Sequence, residues 1–225
     1  MFQPRFEILP AAQKNLWPEL AEVPGHFVLY GGTALALRLG HRQSVDFDFF
    51  SSGPVTPAAL LADLPCLRGA KILQQVKQTL TVMVDRDGLV KLSFFGKVGL
   101  GRVGLPEETP DGRLRVASLL DLAGTEAAVV TQRSEAKDYL DILAILEVGV
   151  SLPTAMAAAA AIYGEQYNPM MTLKSLTYFS DGDLDKLTAM QRAKLIEAAS
   201  AKVTNLPVMP KLSDELSVSA RGAGE

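Results

Sequence analysis

The stretch FVLYGGTALALRLGHRQSVDFDFF, residues 27–50, restricts the fold more than any other part of the chain. Phe27-Val28-Leu29-Tyr30 is a continuous apolar run of strand length, which reads as a strand buried on both faces. Gly31-Gly32 breaks it, and Thr33 to Leu39 supplies strong helix formers closed by Gly40 as a C-cap. A polar turn, His41-Arg42-Gln43-Ser44, leads into Val45-Asp46-Phe47-Asp48-Phe49, whose strict alternation predicts another strand. Its two carboxylates share one face, and Val45, Phe47 and Phe49 share the other.

That arrangement has a chemical meaning. A Gly-Gly pair turns the backbone sharply and brings bare amides close to a ligand. At the start of a helix those amides and the dipole favour phosphate. Thr33 adds a hydroxyl that either caps the helix or touches a phosphate. Asp46 and Asp48, at i and i+2 on a strand, are placed to share a hard cation such as Mg²⁺, which would hold a triphosphate in line. Burying both acids against aromatics without a cation would be costly, which favours a metal. Taken singly, a Gly-Gly pair is a turn and Asp-x-Asp is a solvated face. Their direct succession makes the signal specific.

The remaining chain separates into two characters. Residues 7–22 show a helical stripe of Ile8, Ala12, Leu16 and Leu20. Pro57 opens a helix over 57–64, and residues 80–84 and 89–95 flank Asp85-Arg86-Asp87-Gly88 as a β-hairpin. A short strand is expected at 113–116. Helices follow at about 117–131, 135–147, 153–163, 169–179 and 183–201, broken at Gly149, Pro153, Gly164 and Pro169. The expected fold class is α+β, a mixed sheet with flanking helices followed by a helical lobe. Its parts are a core over 1–116, a helical lobe over 117–210 and a mobile tail over 211–225.

Composition excludes several classes. Hydrophobic residues at 48% and charged residues at 21% describe a folded globular protein rather than a disordered one. A net charge of −3 argues against a surface that traps nucleic acid as a whole. Lys71, Lys77, Lys91, Lys97, Arg102, Arg113 and Arg115 still allow either a local basic groove or a solvated strand face. Cys66 stands alone and the histidines are only His26 and His41, so neither a disulfide nor a zinc site is available within the chain. The N-terminus lacks signal-peptide order and the apolar run 155–163 is too short to span a bilayer, so a cytoplasmic protein with no membrane partner is expected.

Gly31-Gly32-Thr33-Ala34-Leu35 followed by Arg42-x-Ser44-x-Asp46-x-Asp48 resembles the first motif of the AbiEii/AbiGii toxin family of nucleotidyltransferases, within the polymerase-beta-like superfamily. Arg133 and Lys137-Asp138-Tyr139-Leu140-Asp141 resemble that family's Lys/Arg-Asp-x-x-Asp helix motif. The resemblance runs from about residue 25 to 147. It implies a nucleotidyltransferase-type mixed sheet and an Mg²⁺-dependent transfer of a nucleotide from an NTP to a hydroxyl of RNA, including tRNA 3′ ends, or of protein. It also implies a toxin beside a cognate antitoxin. By position, Asp46 and Asp48 would be metal ligands, Gly31, Gly32 and Thr33 would face the phosphates, and Arg42 and Ser44 would support that loop and the triphosphate. Lys137, Asp138 and Asp141 would take part in catalysis. Their i,i+3 and i,i+4 spacing also lets them cluster on one helix face, although a Lys–Asp surface pair or an acid near the helix start explains the same residues.

Two departures bear on chemistry. The superfamily's third carboxylate on a neighbouring strand has no counterpart in 89–95, whose one face reads Lys91, Ser93, Phe95. Glu126 stands where related sequences often carry a lysine. A catalytically impaired nucleotide- or RNA-binding module on the same fold is therefore the alternative reading.

Overall fold

The computed structural model describes residues 2–200 and 206–218. They form two compact units, one of 2–100, 105–118 and 214–218, the other of 101–104, 119–200 and 206–213.

The first unit is built on a mixed sheet. Its strands are β1 (Val28–Tyr30), β2 (Asp46–Phe50), β3 (Lys71–Val76), β4 (Thr79–Asp85), β5 (Leu89–Phe95), β6 (Glu107–Glu108) and β7 (Arg115–Val116), in the order β3-β4-β5-β2-β1-β7-β6. β2 lies centrally, antiparallel to β1 and parallel to β5. Helix α1 (Ala11–Leu16) sits between 3-10 turns at 6–8 and 17–22, α2 (Gly31–Leu39) follows β1 without a loop, and α3 (Pro57–Asp63) follows β2. The single long helix expected over 7–22 is therefore broken. Pro10 and Pro18 each remove a backbone donor in that stretch.

The β2 alternation decides which side becomes core. Phe47 and Phe49 are fully buried, and Phe49 stacks on Phe94 of β5 at 5.1 Å. Burying each ring stabilises by roughly 1.5–3 kcal/mol. Val45, expected on that face, lies just before β2 and is 58% exposed. The other face carries Asp46, Asp48 and Phe50, with Phe50 stacked on Tyr30 at 5.2 Å. Gly40 caps α2 in the left-handed conformation, as its sequence suggests. β3, which the sequence reading did not anticipate, is exposed at every residue. An edge strand with no buried face leaves no alternating pattern to read.

The second unit is helical: α4 (Leu119–Val129), α5 (Ala136–Glu147), α6 (Leu152–Tyr163), α7 (Pro169–Ser175) and α8 (Ala189–Ser200). Small residues set its packing. A β-carbon at Gly124 of α4 would lie 2.9 Å from the Ala158 and Ala159 backbone of α6, so the alanine run lets the two backbones approach closely. No single helix among the described residues is long and apolar enough to cross a membrane.

The tail from Lys211 was expected to be mobile, yet its described part is anchored. Ser213 bridges Arg102, Leu216 is fully buried, and Ser217 exchanges hydrogen bonds with Ser52. One apolar side chain and paired backbone groups suffice to hold a segment with no periodic pattern. The remainder of that expected tail, 219–225, lies outside the described residues.

Candidate active site

In the first unit the glycine turn and the acid pair face each other. Gly31 has φ +71°, a region that L side chains rarely enter, and a β-carbon there would lie 3.2 Å from Oδ2 of Asp48. Register explains the approach, because Asp48 sits opposite Tyr30, the last residue of β1. At Gly32 a β-carbon would lie 2.5 Å from Nη2 of Arg42 and 3.1 Å from Oγ of Ser44. Arg42 and Ser44 thus rest directly over the turn, with Arg42 Nη1 donating to the Gln43 carbonyl at 3.0 Å. The structure brings together Gly31, Gly32, Arg42, Ser44 and Asp48.

Thr33 is placed otherwise. It is buried, and its hydroxyl donates to the backbone carbonyl of Asp46. Its hydroxyl therefore neither caps the helix nor points to a phosphate: the side chain ties α2 to β2, and α2 has no side-chain N-cap.

The acid pair itself is half-exposed rather than buried, which removes the burial argument for a metal at this place. Asp46 instead pairs with Lys91 at 2.7 Å, because residue 91 on parallel β5 is its register partner. Ser93 is the partner of Asp48. Asp46 and Asp48 nevertheless offer hard oxygen donors from one strand face, the donor type that suits Mg²⁺. Three of the basic residues that allowed either a groove or a solvated face are paired with acids, Lys91 with Asp46, Arg113 with Asp111 and Arg115 with Glu108.

In the second unit the Lys-Asp-x-x-Asp motif opens α5. Asp138 and Asp141 are buried and project together, but Lys137 is exposed and pairs with Glu135 at 2.6 Å. The expected three-residue cluster is therefore split. At i−1 from Asp138, Lys137 points to a different side of the helix. The lysine's hydrogen bond holds the Glu135 carboxyl below its ordinary value.

The place at the Asp138–Asp141 face belongs to Glu126 of α4. Carboxylate oxygens of Glu126, Asp138 and Asp141 lie within 4.8 Å of one another, and all three residues are buried. Among the described residues this is the one group of three acidic, histidine or cysteine side chains so placed. Arg133 answers part of that charge with a two-pronged contact, Nε to Asp138 Oδ2 at 2.8 Å and Nη2 to Oδ1 at 2.9 Å. The Asp138 hydrogen bond pushes the guanidinium's affinity for its proton further up. Sequence reasoning placed Arg133 in the motif but missed this pairing and the role of Glu126, since no local spacing links α4 to α5.

Burial pushes the Cys66 thiol up to about 11, which suits a packed side chain and not a nucleophile. Tyr167 is buried with its hydroxyl against Thr172 at 2.7 Å, whereas Tyr178 is exposed.

Comparison with known proteins identifies relatives of the chain. A protein of Aquifex aeolicus (strain VF5), itself uncharacterised, is 32% identical over 158 residues, covering 69% of this chain and 74% of the relative. The nucleotidyltransferase toxin MenT4 of Mycobacterium tuberculosis H37Rv superposes with a TM-score of 0.61 at 14% identity, over 84% of this chain and 80% of that one, which shows a shared fold. A family model described as nucleotidyl transferase AbiEii toxin, type IV toxin–antitoxin system, matches residues 19–206. The mixed sheet, the glycine turn facing Asp48 and that match together make the chain a member of the AbiEii family of nucleotidyltransferase toxins.

Proposed function

We propose that this chain transfers a nucleotide from an NTP to a hydroxyl acceptor, RNA (a tRNA 3′ end included) or protein, with Mg²⁺, and that it acts as a toxin held in check by a cognate antitoxin. The observation that carries the reading is the approach of Asp48 to Gly31 under the Arg42 side chain. In it the amides of Gly31 and Gly32 and the guanidinium of Arg42 receive the triphosphate, with Ser44 holding the loop. The acceptor oxygen attacks the α-phosphorus, the bond from that phosphorus to the bridging oxygen breaks, and pyrophosphate leaves. The hydroxyl proton passes to a carboxylate acting as general base. Mg²⁺ bound by Asp46 and Asp48 would supply charge neutralisation for the departing pyrophosphate. Lys91 then exchanges its Asp46 contact for a phosphate oxygen. Lys137, Asp138 and Asp141 of the second motif are proposed to be required for the same reaction.

The test uses labelled NTPs with Mg²⁺, total RNA and protein acceptors, beside an Asp46→Asn/Asp48→Asn variant. Label in an acceptor from the wild type alone is expected. No transfer from any of the four NTPs would overturn the catalytic reading. The Lys91–Asp46 ion pair and the absence of a third acid beside Asp46 and Asp48 among the described residues favour a second reading, a nucleotide- or RNA-binding module without turnover. Calorimetric NTP binding without transfer is its signature.

A further inference from the structure

The helical unit contains a cleft of about 540 Å³ that the chemistry above does not use, between the loop after α4 and the segment after α7. Its frame is fixed on both sides. Gly182 has φ +57° and packs so tightly on Ser134 that a β-carbon would lie 1.8 Å from the Ser134 carbonyl oxygen. The Asp183 carboxylate accepts the Ala136 amide at 2.6 Å. On the floor, Tyr139 is buried and donates its hydroxyl to the Ser175 carbonyl at 3.2 Å. A frame so held needs little ordering when a ligand enters.

The rim differs from the frame. Tyr178 is 55% exposed and stacks on no other aromatic ring among the described residues. Lys174 lines the same cleft and makes no ion pair among the described residues. Arg133 gives Nε and Nη2 to Asp138 and lies 3.5 Å from Glu135, yet its side chain is 49% exposed and a guanidinium carries five donors. Gln132 and Asp181 add neutral and acidic hydrogen-bonding groups.

The geometry points to a binding site for a nucleoside phosphate, with the base stacked on Tyr178 and the phosphate held by Lys174 and the outward side of Arg133. An exposed ring beside a lysine with no ion pair among the described residues and a half-exposed guanidinium is the chemistry that takes single nucleic-acid units without strict sequence preference. An acidic peptide would use the cations and leave the ring idle. This assignment rests on the proposed nucleotide chemistry for its purpose, though not for the binding itself. The same chemistry fits a free mononucleotide and one nucleotide of a single strand.

Both sources are tested on the full chain in EDTA, with nucleoside monophosphates by calorimetry and a fluorescein-labelled single-stranded RNA tetramer by anisotropy. The variants are Tyr178→Ala, Tyr178→Phe, Lys174→Gln and Asp46→Asn/Asp48→Asn. Tyr178→Ala is expected to weaken binding roughly tenfold. Tyr178→Phe, which keeps the ring, should bind as wild type. Lys174→Gln should weaken binding several-fold and lower the salt dependence by about one phosphate contact. Binding of monophosphates assigns the free nucleotide as source, and binding of the tetramer alone assigns the strand; each supports the site. The proposal is overturned if neither probe binds, or if Tyr178→Ala is silent while a poly-glutamate peptide binds through Lys174. Loss of binding in the Asp46→Asn/Asp48→Asn variant alone would overturn it too, yet leave the reaction at the glycine turn intact.

Discussion

Nζ of Lys91 closes on Oδ2 of Asp46 at 2.7 Å, across neighbouring parallel strands, and so occupies an oxygen that a cation bound by Asp46 and Asp48 would use. Both side chains are about one-third exposed, so the pair itself adds little to stability, about 0.2–1 kcal/mol. Its consequence is competition. Lys91→Met should raise the affinity of the Asp46–Asp48 pair for Mn²⁺ several-fold, read by electron paramagnetic resonance titration. An unchanged or weaker Mn²⁺ affinity would remove Lys91 as a gate on the metal.

The two glycines of the turn separate strain from access. Gly31→Ala meets both the left-handed backbone and Oδ2 of Asp48, and should cost about 1–2 kcal/mol with a fall in melting temperature. Gly32→Ala meets side-chain ends, Nη2 of Arg42 and Oγ of Ser44, and no left-handed backbone, so stability should hold while NTP affinity drops. Calorimetry and thermal denaturation on both variants check this. Equal melting temperatures for the two would contradict the strain assigned to Gly31.

What the sequence made legible follows from locality. The β1–Gly-Gly–α2–β2 run could be read because strand alternation, helix formers and a terminal glycine are all local signals, and each matches an element. Asp46 and Asp48 share a face because the period of a strand is two. Partners from other elements were not legible. Lys91 could be placed on a strand face but not opposite Asp46, since the pairing depends on the parallel β2–β5 register. Glu126 carried no sign that α4 would bring it to Asp138 and Asp141. Thr33 looked like a cap or phosphate ligand, and only the packing of α2 on β2 turns its hydroxyl inward.

Asp111 provides an acid-sensitive contact with its own reporter. Burial pushes its carboxyl up, but hydrogen bonds from Thr109, Trp17 and Arg113 outweigh that and bring it down to about 2 from 3.8. A depressed carboxylate stabilises the fold above its unfolded value and loses that contribution as pH falls from about 4 towards 2. With the group largely at the surface, the loss should be about 1 kcal/mol. Trp17, the chain's single tryptophan, donates Nε1 to Asp111 at 2.8 Å, so its fluorescence should change over the same window. Asp111→Asn should flatten both the fluorescence change and the extra acid sensitivity. Persistence of either in that variant would contradict the assignment.

The contact between Arg133 and Asp138 has to be judged against the two other acids it faces. Asp138 is nearly sealed from solvent, with a side chain 2% exposed, and Glu126 and Asp141 lie within 4.8 Å of it. Removing the guanidinium takes the two-pronged partner from a buried carboxylate that sits beside two further acids. Arg133→Met should therefore destabilise by about 2–3 kcal/mol in urea denaturation. Lys137→Ala, which breaks only the half-exposed pair with Glu135, should cost less than about 1 kcal/mol. If like-charge repulsion is the cause, Glu126→Gln should recover part of the loss when combined with Arg133→Met, giving a coupling of about 1 kcal/mol in the double-mutant cycle. Simple additivity would mean that Arg133 stabilises α5 through its bond to Asp138 alone. In that case Glu126 holds no share in the electrostatics of the acidic cluster.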